Sequence, residues 1–175
     1  VLNNQAHDGG GIALNNDSPS ISNSSIIGNT ATENAGGIGF YYETTAPVLT
    51  DVVIAGNSAS NGGGILAVQV AAPKFINVLI TKNHATNLGG AAYYIGYAEG
   101  RGYHTTVEGN TAGTYPGIYI TDFSFPSFSH SNILDQGITL RNNDNLVTID
   151  ADSCWWGDSS GPYHSNSNPN GSGET

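Results

Sequence analysis

Apolar residues alternate with polar ones in short runs, as in Gly-Ile-Ala-Leu-Asn at 11 to 15 and Gly-Ile-Tyr-Ile-Thr at 117 to 121, and Gly, Asn or Pro breaks each run. Alternation at a period of two predicts strands, and no segment carries a helical period. The runs also recur. Asn4, Asn29, Asn57, Asn83 and Asn110 are separated by 25, 28, 26 and 27 residues, and an alanine follows each one two positions later, at Ala6, Ala31, Ala59, Ala85 and Ala112. Farther along each unit stands a pair of small residues and an apolar or alanine position: Gly10-Gly11-Ile12, Gly36-Gly37-Ile38, Gly63-Gly64-Ile65, Gly89-Gly90-Ala91 and Pro116-Gly117-Ile118. Ile26, Ile54, Ile80 and Ile133 hold a third register, which Val1 and Val107 fill in the other units.

A repeat of this length with two or three short strands cannot bury its apolar face alone, but copies stacked at about 4.8 Å bury it continuously. The pattern predicts one all-β domain over 1–175, a parallel β-helix of about six coils, with coils over 1–150 and a closing segment over 151–175. Asn29, Asn57, Asn83 and Asn110 are expected to be structural, bonding the backbone of the next coil from a tight corner. The glycine pairs are expected to supply positive φ before the next strand. Alternation from the Gly-Gly-Ile strands places Leu14, Phe40, Ala67, Tyr93, Ile120 and Leu140 inward, and Asn15, Tyr41, Val68, Tyr94, Thr121 and Arg141 outward.

Composition narrows the partners. The 175 residues carry 14 acids against four bases, a formal charge of -10 with no basic run, so nucleic acid and anionic membrane are excluded as expected partners. No apolar stretch approaches the roughly 20 residues of a membrane span. Cys154 stands alone and forms no internal disulfide. Val1-Leu2-Asn3-Asn4 already fills the apolar-x-x-Asn slot. The expectation is therefore a fragment of a longer polypeptide, whose other coils are its neighbours.

Ile-x-x-Asn followed by Gly-Gly-Ile resembles the paired repeats of polymorphic outer-membrane adhesins, over residues 1 to about 138. The tail Cys154-Trp155-Trp156-Gly157-Asp158-Ser159-Ser160-Gly161-Pro162-Tyr163-His164, then Asn168-Pro169-Asn170-Gly171, is similar to the closing segment of secreted right-handed parallel β-helix proteins in the pectate-lyase-like superfamily. The resemblance implies a right-handed coil and a secreted or cell-surface location. That superfamily holds lyases, hydrolases, adhesins and pure scaffolds, so the site must decide the function.

Aromatic rings flanked by hydrogen-bonding groups suit the apolar faces and hydroxyls of sugars. Tyr41 and Tyr94 on the outward ladder, with Tyr42, Tyr97 and Tyr103 nearby, are the expected ligand-binding residues for a polysaccharide or cell-surface glycan. The alternative for the same residues is ordinary stacking of β-favouring aromatics along a sheet. Cleavage of uronic polysaccharides on this fold uses a base together with clustered carboxylates. Here the acids are scattered singly, which leaves Arg141, Glu43, Glu99, Arg101 and His104 as candidate catalytic groups. Asn142 to Asn145 and Asp150 to Asp152 offer oxygens without the spacing of a calcium loop, so no cofactor is expected and calcium is the alternative. The expected function is a non-catalytic module for surface display or adhesion. A polysaccharide lyase or glycoside hydrolase acting on acidic polysaccharide is the alternative.

Overall fold

The computed structural model describes residues 1–42, 45–134, 140–144, 146–161 and 169–170, and the described residues form strands and turns without a helix. The strands stack in parallel as a β-solenoid of about five turns. Leu140–Asn142 and Ala151–Asp152 begin a partial sixth. Three sheets wrap the core. Gln5–Asp8, Thr30–Asn34, Ser58–Asn61, His84–Leu88 and Thr111–Ala112 form the first, with the Ala register at its centre. Ile12–Asn15, Ile38–Tyr41, Ile65–Val68, Ala92–Ile95, Ile118–Ile120 and Leu140–Asn142 form the second. The third contains the eight-residue strands Ser20–Ile27, Val48–Ala55 and Lys74–Thr81, which later coils replace with shorter pieces on either side of a bend.

Inward side chains repeat coil by coil. Ile26, Ile54, Ile80, Val107 and Ile133 pair in register, and each is at most 3% exposed. Phe40 and Phe75 meet across the core edge to face, with centroids 6.0 Å apart. Such a core is closed to water, as dense packing of apolar ladders requires.

Beside it runs a buried amide ladder. The backbone N–H and the Nδ2 of Asn29 both donate to Asn57 Oδ1, at 2.9 Å each. Asn57 donates likewise to Asn83, and Asn83 to Asn110. The second Nδ2 hydrogen reaches back: Asn57 donates to the Ile26 carbonyl, Asn83 to that of Ile54 and Asn110 to that of Ile80. The coils from Asn29 to Asn110 thus satisfy this corner with the same residue, because a buried amide needs all its partners.

Two expectations are corrected. In the pairs Gly10-Gly11, Gly36-Gly37 and Gly63-Gly64 positive φ falls on the preceding residue, Gly9, Ala35 or Gly62, at 62, 59 and 63°; only in Gly89-Gly90 does a member of the pair, Gly89 at 65°, carry it. The pairs serve close stacking instead. A Cβ on Gly10 would lie 2.6 Å from the Gly36 carbonyl oxygen, and one on Gly64 would lie 2.7 Å from that of Ala91.

The second correction concerns register. Ile65 pairs with Ala92 rather than Ala91, so Tyr94 aligns with Ala67 and Phe40 inside the core and is 1% exposed. A one-residue slip exchanges the faces of a strand. Tyr94 therefore leaves the outward ladder and Tyr93 joins it. Small neighbours make room for the buried ring: Ala67 precedes it in the column, and a Cβ on Gly100 would lie 2.7 Å from its ε carbon. Arg141 pairs with Tyr119, not Thr121, and stays outward and exposed.

Candidate functional site

With the interior filled, chemistry is confined to the outer faces. The corner that follows the second sheet carries a groove lined by Tyr41, Tyr42, Val68, Gln69, Ile95, Gly96 and Asp122. Tyr41, Val68 and Ile95 occupy one register on three successive coils and form its floor. At the next position Tyr42, Gln69 and Asp122 have φ of 73, 53 and 51°. Val70, Tyr97 and Phe123, which follow Gln69, Gly96 and Asp122, are also left-handed, at 65, 61 and 58°, and are exposed by 42, 55 and 41%.

That backbone region costs a residue with a Cβ roughly 1 kcal/mol, and a β-branched valine suits it worst. The cost is met by neighbouring coils, which fix the corner through bonds such as Val70 N–H to the Gly96 carbonyl at 3.0 Å and Tyr97 N–H to that of Asp122 at 2.9 Å. The side chains gain no burial in return, except that the rings of Tyr97 and Phe123 stack at 5.4 Å with planes 15° apart.

Tyr41 folds back over Gly39, where a Cβ would lie 2.7 Å from its ζ carbon. Its hydroxyl is buried and has no hydrogen-bond partner among the described residues. Burial, aided by the Asp8 carboxylate, pushes the phenol up to about 12, so it is neutral at ordinary pH.

Of the expected ligand-binding residues, Tyr41 and Tyr42 share the groove and Tyr97 stands beside it. Tyr103 lies elsewhere, at the bend of the third sheet, with its ring 4.1 Å from His104 and 5.4 Å from His130. Sequence reasoning missed a further patch because it turned Tyr93 inward. Tyr93 lies 5.3 Å from Tyr119, Tyr119 stacks on Tyr115 at 4.6 Å, and the Arg141 guanidinium sits 5.9 Å above the Tyr115 ring, within cation–π range. Burial, reinforced by Tyr119 and Asp122, pushes the Tyr93 phenol up to about 12.

The candidate catalytic groups are dispersed. Glu99 and Arg101 share a shallow outer cleft with Phe125, Ser127 and Asp150. His104 lines a different cleft with Asp51 and Asn77. Arg141 is on the second sheet, and Glu43 lies outside the described residues. In the segment 142–145, of which Asn145 lies outside the described residues, Asp144 accepts from the backbone N–H of Phe123 on the preceding coil at 2.8 Å and from that of Leu146 at 3.0 Å.

One ionic cluster was not foreseen, since its members are adjacent in space across two coils. His7 Nδ1 meets Asp8 at 2.8 Å and its Nε2 meets Glu33 at 3.4 Å, while Asn34 Nδ2 donates to Asp8 at 3.0 Å. The hydrogen bond to Asp8, then the charges of Glu33 and Asp8, hold His7 above its ordinary value. Burial pulls the Asp8 carboxyl up, but hydrogen bonds from His7 and Asn34 outweigh it and hold the group below the usual range. The three ligand-type atoms lie within 4.8 Å of one another, all exposed and already engaged with each other.

Among the described residues no helix is long and apolar enough to cross a membrane. The sequence matches no protein-family model, and neither the curated proteins nor the solved structures include a significant match.

Proposed function

We propose that the chain is an extracellular, non-catalytic module for surface display or adhesion, and that its outer groove contacts glycan. The groove carries this reading: an apolar floor of Tyr41, Val68 and Ile95, rimmed by Tyr42, Gln69 and Asp122. Flat apolar surface beside hydrogen-bonding groups is what a sugar ring requires. The resemblance of the repeats to outer-membrane adhesins, and of the tail to secreted right-handed β-helix proteins of the pectate-lyase-like superfamily, supports the extracellular placement.

The test is retention of the protein on a broad panel of immobilised polysaccharides. Tyr42→Ala should weaken retention by about 1 kcal/mol or more with the fold unchanged, as for an exposed aromatic at a binding surface. Equal retention of wild type and variant would remove the groove from the reading. The cleft shared by Glu99, Arg101 and Asp150 favours a second reading, hydrolysis or elimination on an acidic polysaccharide. Release of reducing ends or unsaturated products, abolished by Glu99→Gln, would establish it.

A further inference from the structure

The groove has a direction, a spacing and a charge, and together these restrict the glycan. It runs across the coils rather than along a strand, because its lining comes from Tyr41 and Tyr42, then Val68 and Gln69, then Ile95 and Gly96, then Asp122, each set one coil beyond the last. Parallel coils repeat at about 4.8 Å. A pyranose chain linked 1,4 through two equatorial bonds is a straight ribbon that advances by about one ring per unit, close to that repeat. A chain with an axial linkage curls away from a straight groove.

Charge decides the rest. Among the described residues lining the groove, Asp122 is the charged one, and no lysine or arginine joins it. The whole chain carries -10, so a polyuronate would meet like charge locally and at long range. Gln69 and Asp122 are exposed, and each can hydrogen-bond hydroxyls.

Resting on the glycan reading above, we propose that the groove binds an uncharged, equatorially 1,4-linked glycan lying along the solenoid axis, one sugar per coil over four coils. The experiment is isothermal titration of the purified chain with β-1,4-linked N-acetylglucosamine or glucose oligomers from disaccharide to hexasaccharide, in parallel with β-1,4-linked glucuronate oligomers of the same lengths. Affinity should rise with each sugar up to the tetrasaccharide and then level off. The β-1,4-linked glucuronate oligomers should bind at least about tenfold more weakly, and Asp122→Asn should narrow that gap severalfold. Asparagine keeps the size of the side chain and tolerates the left-handed backbone. Equal or tighter binding of the acidic series, or no gain beyond the disaccharide, would overturn the proposal and leave the glycan reading standing. Failure of both series to bind would overturn the two together.

Discussion

Two columns of corner residues run the length of the solenoid, one inside and one outside. The inner one is Asn29, Asn57, Asn83 and Asn110, all at most 2% exposed. The outer one, at the bend of the third sheet, is Asn23, Asp51, Asn77, His104, His130 and Ser153, with φ between 46 and 56°. In each column successive members are one coil apart. Yet the four buried rungs from Asn29 to Asn110 keep one residue type, while the outer column passes from amide to carboxylate to imidazole to hydroxyl. The inner corner must fill every hydrogen-bonding site of a buried amide, whereas the outer corner only has to tolerate left-handed backbone. Strict repetition therefore reports burial of a polar group, and loose repetition reports backbone shape.

Substitution should expose this contrast most sharply at Asn57. Asn57→Ala removes the acceptor of two Asn29 bonds and the donors to Ile26 and Asn83, so the expected loss is about 3 kcal/mol, each orphaned buried group costing about 1–3. Chemical denaturation would reveal it, and a loss under about 0.5 kcal/mol would mean that water replaces the amide. A smaller effect of opposite sign is expected at Val70, since Val70→Asn relieves a β-branched residue at φ 65° and should raise stability by about 1 kcal/mol. A destabilised variant would show that the corner is held by side-chain contact rather than strained by it. At the outer bend, Asp51→Asn should stay within about 0.5 kcal/mol of wild type, because its side chain is exposed and asparagine already occupies the position in two other coils.

The smallest expected effect is electrostatic. The folded state raises His7, so its contribution is fully present below the unfolded value of about 6.5 and is lost as pH rises through the higher folded value. A proton NMR titration of the ring should place its midpoint above that of an unfolded peptide. Asp8→Asn should lower it, and an unchanged midpoint would assign the shift to Glu33.

The same contrast explains what the sequence reveals. Asn57 and Ile54 announce themselves because burial leaves one residue type or one kind of shape, and the period follows. The slip at Ala91 was hidden because three glycines precede Ile65 where two precede Ala91, and either glycine of the shorter set could have been matched to Gly63. Pairing of Ile65 with Ala92 resolves it, and that depends on contacts between coils. The groove was half legible. Tyr41, Tyr42 and Tyr97 were recognised as outward aromatics, but Gln69, Ile95 and Asp122 carry no sequence signal and become neighbours only through stacking. The His7 cluster was invisible for the same reason, since Glu33 belongs to the following coil.

The asparagine ladder has one property that no single rung shows. From Asn29 to Asn110 every Nδ2–H···Oδ1 bond points the same way along the axis, from each coil to the next. Aligned amides polarise one another, so adding a coil strengthens the bonds already present. An interior rung touches two neighbours and a terminal rung one, which makes the stack behave as a row of coupled units. Melting should therefore advance from the ends inward, with the central coils protected longest against hydrogen exchange.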